Sequence, residues 1–303
     1  MKLQEIALLL QNETGAKIRV SEPMCNHTSF HIGGPADVLV VPDNTEDVRN
    51  TLRISREHRI PLTVLGNGSN VLVRDKGIRG IVLKMGNALK HWEQHDDRFT
   101  FESGVSLAQC CRIIGEAGYT GMEFAVGIPG SLGGAVYMNA GAYDGEMKNT
   151  VASVLTMTRS GDLKTLTSEE LQFGYRHSAL QEADDIVLQV TMDLSKGDKS
   201  EILAKMDDFS QRRISKQPLE LPSAGSTFKR PEGHFAGALI EQAGLKGFRI
   251  GGAEVSVKHA GFIVNADHAT AADVLQLIEH IQNCIQTKFH VYMKPEVLVL
   301  GEE

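Results

Sequence analysis

The chain has 303 residues, a formal net charge of −7 and a sequence pI near 5.9. Hydrophobic residues make up 42% and charged residues 23%, which is ordinary for a soluble globular protein, and no basic block indicates a nucleic-acid surface. The four cysteines lack C-x-x-C spacing, and neither an 18-residue apolar run nor a signal-peptide pattern occurs, so we expect a cytoplasmic protein.

The first quarter of the chain predicts a small α/β unit. Its pattern gives an amphipathic helix over 2–11, a strand over 36–41, a helix from the Asn44 cap to about residue 58, and a strand over 60–65. This last strand leads into the sequence GNGSN at 66–70 and a short apolar run. Because the loop has neither the Rossmann nor the P-loop glycine spacing, it predicts a different kind of tight N–H nest for phosphate.

The middle of the chain is predicted to be mostly strands. They are expected over 77–85, 98–103, 151–159, 163–166 and 186–194, with a hairpin at Ser160-Gly161-Asp162 and one helix from Ser106 to Gly118. Within this part, residues 127–145 contain six glycines among nineteen residues. That spacing is too close for a regular helix or central strand, so we predict a shaped loop whose backbone N–H groups approach a ligand.

The composition changes at 195–198, which is typical of a link. A charged helix is expected to follow as far as Lys216, then a polar loop, then a helical stretch over 234–243 that ends before Gly244. Thr270 and Asp273 predict a capping box for a last helix to about residue 289. We therefore expect a separate α/β domain in this part of the chain.

Six stretches give the chain a resemblance to a known family. They are HTSFHIGGPAD (27–37), GNGSN (66–70), GIPGSLGGAVYMNAGAY (127–143), FGYRHS (173–178), AGSTFKRP (224–231) and KPEV (294–297). In their order and spread over nearly the whole chain, they resemble the UDP-N-acetylenolpyruvoylglucosamine reductase (MurB) family. Since the segment 178–225 is too short for the extra tyrosine-bearing loop and β-α-β element of longer members, the resemblance is to the shorter, type II form.

The resemblance implies an α+β fold in three parts. Two parts form an FAD-binding unit of the PCMH/vanillyl-alcohol-oxidase type, at 1–75 and 76–194, with the C-terminal strand in 291–303 returning to the first part. The third part, 195–290, is the expected substrate-binding domain. FAD is expected to lie extended, with its diphosphate on the two glycine-rich stretches. The expected cofactor-binding residues are Gly66, Asn67, Gly68, Ser69, Asn70, Gly127, Pro129, Gly130, Ser131, Gly133, Gly134, Asn139 and Gly141.

The reaction is also implied by the resemblance. Noncovalently bound FAD takes a hydride from NADPH and passes it to C3 of the enolpyruvyl group on UDP-N-acetylglucosamine enolpyruvate, giving UDP-N-acetylmuramate for peptidoglycan synthesis. Arg176 matches the residue that holds the substrate carboxylate and stabilises the enolate, Ser226 the proton donor at C2, and Glu296 its partner acid. From spacing alone, a surface salt bridge, a turn serine and a strand-edge glutamate are the better interpretations of these three residues, and only the family resemblance favours the catalytic roles.

Four further residues match the family's motifs less closely. Tyr143, Tyr175, Arg230 and His259 match substrate-contact positions, although Arg230 and His259 replace other polar types found in better-known members. Histidines spaced four apart at 27/31 and 91/95 lack further ligands, so no metal site is expected. We expect a monomer with small-molecule substrates and without nucleic-acid or membrane partners. The alternatives are an FAD-linked oxidase of the same fold and a non-catalytic nucleotide-sugar-binding protein, neither of which needs the proton donor and carboxylate clamp.

Overall fold

A computed structural model of the chain describes residues 2–303, so the first residue of the expected 1–75 subdomain lies outside the described part. Eight α-helices occur in residues 2–303: α1 (Leu3–Glu13), α2 (Thr45–Glu57), α3 (Leu107–Glu116), α4 (Leu132–Tyr137), α5 (Leu180–Ala183), α6 (Lys199–Lys216), α7 (Ala236–Gln242) and α8 (Ala271–Phe289). Short 3₁₀ turns cover Met24–His27, Glu123–Ala125 and Met147–Asn149.

The same residues form nineteen strands, several of them only two residues long. They are β1 (Lys17–Pro23), β2 (Pro35–Val41), β3 (Leu62–Leu65), β4 (Val71–Val73), β5 (Ile78–Lys84), β6 (Trp92–His95), β7 (Arg98–Glu102), β8 (Tyr119–Thr120), β9 (Gly141–Ala142), β10 (Gly145–Glu146), β11 (Val151–Met157), β12 (Leu163–Thr167), β13 (Ile186–Asp193), β14 (Ser195–Lys196), β15 (Ser223–Ser226), β16 (Arg249–Ile250), β17 (Ala253–Val255), β18 (Phe262–Asn265) and β19 (Leu298–Leu300).

Three helices begin where the capping residues predicted. The side chain of Asn44 accepts from Asp47 N at 2.9 Å, and that of Ser106 accepts from Gln109 N at 3.2 Å. Thr270 caps α8 through Asp273 N at 3.1 Å, with the reciprocal bond from Thr270 N to the Asp273 carboxylate at 2.9 Å. Each cap satisfies N–H groups that the first helical turn leaves without a backbone acceptor, so a local pattern was sufficient to predict it.

The chain divides into two compact units. The first comprises the residues up to Val20, Val38–Asn67 and Gly80–Arg213. The second comprises Ser21–Asp37, Gly68–Arg79 and Ile214–Glu303. The expected three-part division, with boundaries at 75, 194 and 290, stays a prediction.

The first unit is built on two large sheets, besides the two-stranded pairs β9/β10 and β8/β14. A sheet of order β1-β2-β5-β3 lies largely in this unit and packs with α1 and α2 around Val38, Val48 and Leu83. An antiparallel sheet of order β12-β11-β13-β7-β6 packs with α3 and α4 around Phe99 and Phe101. The predicted link at 195–198 includes β14, which pairs antiparallel with β8 in this unit.

The second unit is built on an antiparallel sheet of order β15-β18-β17-β16 with α7 and α8. One face of α8 is fully buried, and it carries the predicted apolar stripe Val274, Ile278, Ile281 and Ile285. The strand β19 lies parallel to β4, with Leu298 opposite Val71. The end of the chain therefore pairs with the strand that follows GNGSN.

One prediction about the glycine-rich stretch 127–145 was wrong, because a regular helix, α4, forms inside it. Ser131 caps this helix, since its hydroxyl accepts from Gly134 N at 3.4 Å. A Cβ added to Gly133 would lie 2.8 Å from the Ser103 Cβ. The glycine therefore permits close packing against a neighbouring segment and does not signal a non-helical backbone.

Candidate functional site

The two glycine-rich stretches meet within the first unit. A Cβ on Gly66 would lie 2.6 Å from Ser131 Oγ and 3.9 Å from the Gly134 Cα. On the other side of the loop, a Cβ on Gly86 would lie 2.3 Å from Asn67 Oδ1. No side chain fits at Gly66 or Gly86, so glycine lets the expected cofactor-binding backbone segments approach each other closely.

Within the second unit, the rest of the GNGSN loop is strained in a way that requires glycine. Gly68 has φ +69°, and a Cβ there would lie 2.2 Å from the His27 carbonyl oxygen. Ser29 N donates to Gly68 O at 3.1 Å, which fixes the loop. In residues 2–303, the backbone N–H groups of Gly68, Ser69 and Asn70 have no acceptor. Successive N–H groups of this kind suit an anionic oxygen of a phosphate.

Two buried side-chain oxygens in the first unit also lack a hydrogen-bond partner within the described chain. They are Asn67 Oδ1 and Ser103 Oγ, and Ser103 is the residue against which Gly133 packs. An unsatisfied buried polar atom costs about 1–3 kcal/mol, so such atoms usually indicate a missing ligand or water. The close backbone approach and these orphaned atoms fit a bound dinucleotide such as FAD.

The start of α4 contributes less to this nest than the sequence predicts. Leu132 N donates to Val105 O at 2.8 Å, and Gly133 N donates to Ser103 O at 2.9 Å. Since Gly134 N is bonded to Ser131 Oγ, the first three N–H groups of the helix already have acceptors inside the protein. The cofactor-binding role of Gly133 and Gly134 stays a prediction, and their packing role is what the structure shows.

Arg176 lies in a two-residue turn of the first unit. Gly174 N donates to His177 O at 3.0 Å, and His177 N donates to Gly174 O at 3.2 Å. Arg176 itself has φ +54°, a left-handed backbone conformation that is uncommon for a non-glycine residue. Its guanidinium carbon lies 5.3 Å from the ring centroid of Tyr175, whose side chain is 55% exposed. The structure therefore brings together Arg176 and one of the weaker substrate-contact candidates.

A buried asparagine holds this turn. The Asn139 amide nitrogen donates to Gly174 O at 2.9 Å and to Glu146 Oε2 at 2.8 Å, while its Oδ1 accepts from Lys148 N at 3.0 Å. Asn139 is 1% exposed, and both ends of its amide are thus engaged inside the protein. The sequence predicts a cofactor contact for Asn139. The structure gives it a positioning role for the Arg176 turn.

Ser226 and Glu296 are brought together in the second unit. Glu296 N donates to Thr227 O at 2.8 Å, and Phe228 forms a bridge with Pro295. Ser226 is exposed at the end of β15, whereas Glu296 is half-buried. The Asn70 side-chain amide donates to Glu296 O at 3.2 Å, so the predicted cofactor loop contacts the predicted acid.

The remaining substrate candidates lie in both units. In the first, Tyr143 donates its hydroxyl to Phe209 O at 3.1 Å and stacks on the Phe209 ring at 4.3 Å. In the second, the Arg230 guanidinium carbon lies 3.9 Å from the Phe235 ring centroid. His259 Nδ1 accepts from Gly261 N at 3.1 Å, and burial lowers the pKa of its imidazole.

Sequence reasoning missed a buried cation beside the glycine-rich stretch. Arg213 is 9% exposed, its Nε has no acceptor in residues 2–303, and a Cβ on Gly127 would lie 3.1 Å from the Arg213 Cδ. Burial lowers the pKa of its guanidinium. The helical spacing in the sequence could have predicted this burial. Arg213 continues the i, i+4, i+7 face of α6 on which Ile202, Met206 and Phe209 are buried.

Comparison with known proteins decides the family. The family model described as UDP-N-acetylenolpyruvoylglucosamine reductase, C-terminal domain, matches residues 217–300, and an FAD binding domain model matches 36–167. The reductase of that name from Clostridium perfringens (strain 13 / Type A) is 49% identical over 286 residues, which is 94% of each chain. The one from Geobacillus thermodenitrificans is 51% identical over 282 residues, covering 93% of this chain and 92% of its own.

The chain belongs to the UDP-N-acetylenolpyruvoylglucosamine reductase family. Its cofactor is accordingly FAD, and the expected resemblance is confirmed. The crystal structure of the MurB reductase from Thermus caldophilus shares 34% identity and a TM-score of 0.77, covering 94% of this chain and 99% of the other.

The fold prediction is confirmed as well. Besides the Thermus caldophilus MurB structure, a structure of alkyldihydroxyacetonephosphate synthase matches with a TM-score of 0.50 and 14% identity over 64% of this chain and 40% of the other, which shows the shared fold alone. In residues 2–303 no helix has the length and apolar character needed to cross a membrane, and no group of three or more metal-ligating side chains occurs.

Proposed function

We propose that the chain reduces UDP-N-acetylglucosamine enolpyruvate to UDP-N-acetylmuramate, with NADPH as the hydride donor. The observation that supports this most directly is the backbone bond from Glu296 N to Thr227 O, at 2.8 Å. It joins the segments AGSTFKRP and KPEV one residue after the proposed proton donor Ser226 and at the proposed acid Glu296, next to the isolated bridge between Phe228 and Pro295. A nucleotide-sugar sensor needs no such pair.

When bound, FAD supplies the hydride chemistry, taking a hydride from NADPH and delivering it to C3 of the enolpyruvyl group. Asn67, the other GNGSN residues and the Gly127–Ser131 segment are the proposed binding residues for this cofactor. Arg176 then binds the substrate carboxylate and stabilises the negative charge that develops as C3 is reduced. The hydrogen-bonded turn at Arg176 suits this role, because it fixes the backbone from which the side chain reaches the carboxylate.

The proton at C2 is assigned to the Ser226 hydroxyl. A serine hydroxyl is a weak acid in water, but the carbanion-like centre at C2 is strongly basic and can take its proton. The half-buried Glu296 carboxylic group is proposed to support that transfer or to bind the polar end of the substrate. Lys229, in the same segment, offers a positive charge that favours the transient alkoxide.

The setting of the reaction is proposed from the same family membership. The product is a peptidoglycan precursor, which connects the chain to cell-wall biogenesis, cell shape and cell division. All four cysteines are free thiols, which supports the proposal of a reducing cytoplasm. We propose that the chain is a monomer.

The test is an anaerobic rapid-mixing experiment in two steps. NADPH is added first and should bleach the flavin absorbance, and UDP-N-acetylglucosamine enolpyruvate added second should restore it. An FAD-linked oxidase would regain its colour with oxygen and not with the enolpyruvyl substrate. A protein whose flavin is never bleached by NADPH would contradict the proposed donor while leaving FAD binding intact.

A further inference from the structure

Lys84 is a buried cation that the reaction scheme leaves without a role. It is the last residue of β5 and is 9% exposed. No hydrogen bond or ion pair joins its ammonium group to any of residues 2–303. Burial lowers the pKa of Lys84, and no carboxylate acts in the opposite direction. Because lysine is almost never buried unless it is paired, its partner is expected to come from outside the chain.

The register of the sheet places Lys84 beside the GNGSN loop. In the parallel pair of β3 and β5, Lys84 lies opposite Leu65, the residue directly before Gly66. Alternate residues of a strand face opposite sides of a sheet. Leu83 and Met85 belong to the core that includes α1 and α2, so Lys84 faces the other side.

A second polar group without a hydrogen-bond partner lies near the carboxyl ends of β3 and β5. Asn67 Oδ1 is buried without a donor, and a Cβ on Gly86, two residues after Lys84, would lie 2.3 Å from it. Near these strand ends, the Lys84 ammonium group therefore has no anionic partner, and Asn67 Oδ1 has no hydrogen-bond donor. A dinucleotide carries both missing groups, since its phosphates are anionic and its ribose hydroxyls donate hydrogen bonds.

We propose that Lys84 is an FAD-binding residue whose ammonium group pairs with the cofactor diphosphate. This inference depends on FAD binding and is independent of the sugar substrate. Its failure would leave the proposed reduction untouched, and a failure of the proposed reduction would leave Lys84 and FAD unaffected.

The experiment compares Lys84→Met with Lys164→Met, which removes an exposed lysine on β12 of the same unit. Each apoprotein is titrated with FAD and with riboflavin, which has the same ring system but no phosphate. Losing one charge-assisted hydrogen bond should weaken FAD binding of Lys84→Met by about 10- to 100-fold. Riboflavin affinity should be unchanged, and Lys164→Met should bind both ligands as the parent chain does.

Thermal unfolding gives an independent readout. Since the unpaired buried charge destabilises the protein without cofactor, apo Lys84→Met should unfold at a higher temperature than the parent apoprotein, and added FAD should raise that temperature less. Lys84→Arg keeps the charge and should retain most of the FAD affinity.

Three results would overturn the inference. They are an unchanged FAD affinity, an equal loss for FAD and riboflavin, and a destabilised apo Lys84→Met that still prefers FAD as strongly as the parent does. Should Lys84→Met fail to fold, Lys84→Gln is titrated with FAD and with riboflavin in its place. The ratio of its FAD affinity to its riboflavin affinity, compared with that of the parent chain, then tests the inference.

Discussion

The turn that carries Arg176 and the strand that carries Ser226 are built in opposite ways. Arg176 has φ +54° in a turn closed by two hydrogen bonds between Gly174 and His177, and the buried Asn139 amide holds that turn. Ser226 ends an irregular strand and is exposed, and the preceding Gly225 has φ +77° with no atom within 4 Å of an added Cβ. The Arg176 turn is closed by its own hydrogen bonds and held by one buried side chain, whereas the Ser226 segment depends on backbone pairing with Phe262 of β18 and, through Thr227, with Glu296.

The difference suits the two proposed roles. A carboxylate clamp acts through geometry, so its backbone has to be held before substrate arrives. A proton donor acts through one hydroxyl, and its position depends on the pairing between Thr227 and Glu296. Changes near Arg176 should therefore act through the stability of the turn, whereas changes at Ser226 should act on chemistry with little effect on folding.

The largest expected effect is that of Ser226→Ala. General acid catalysis contributes about 10²- to 10⁴-fold, and a proton donor to so basic a carbon should lie near the upper limit. In rapid mixing, flavin bleaching by NADPH should keep its normal rate, and reoxidation by the enolpyruvyl substrate should nearly stop. Ser223→Ala, on the same strand, is the control and should behave as the parent. Normal reoxidation of Ser226→Ala would show that the proton comes from elsewhere.

Gly68→Val should cause the next largest loss, in FAD binding. A branched side chain at φ +69° is strained, and its Cβ would meet the His27 carbonyl at 2.2 Å. Strain and clash together should cost about 3 kcal/mol or more. The matched control is Gly233→Val, because Gly233 has φ +70° but no atom within 4 Å of an added Cβ. Flavin absorbance per protein measures the occupancy. Equal occupancy in the two variants would mean that the loop tolerates the change.

Asn139→Asp should have a smaller effect, and on a different step. The change removes both N–H donations, to Gly174 and to Glu146, and places a carboxylate beside Glu146. A lost buried hydrogen bond costs about 1–3 kcal/mol, so the unfolding temperature and the affinity for the enolpyruvyl substrate should both fall. FAD content should stay normal. The control is the exposed Asn149→Asp. A loss of FAD in Asn139→Asp alone would instead support the cofactor role that the sequence predicts.

The same contrast shows which features the sequence could predict. Helix caps at Asn44, Ser106 and Thr270 were predictable because each is a contact between residues three apart. The helix α4 was not, because Gly133 is required by its contact with Ser103, thirty residues away. The burial of Lys84 was not predictable either, because it depends on whether the sheet face opposite Leu83 and Met85 is covered by distant parts of the chain. Arg176, Ser226 and Glu296 could be singled out only through the family resemblance, since each alone is typical of an ordinary surface residue.

The smallest expected effect is that of Gly225→Ala. This change tests the backbone conformation of Gly225 alone, because an added Cβ meets no neighbouring atom of the protein. Alanine in the left-handed region costs roughly 1–2 kcal/mol, and no neighbour lies within 4 Å of the new Cβ. Even if all of this cost raised the barrier, the reoxidation rate should fall by no more than about 30-fold, since the hydroxyl of Ser226 remains. Gly225→Asn should recover part of the loss, because asparagine adopts this conformation more readily. If Gly225→Ala and Gly225→Asn both slow reoxidation as much as Ser226→Ala does, the space beside Gly225 is occupied by substrate during the reaction, and this glycine contacts the ligand directly.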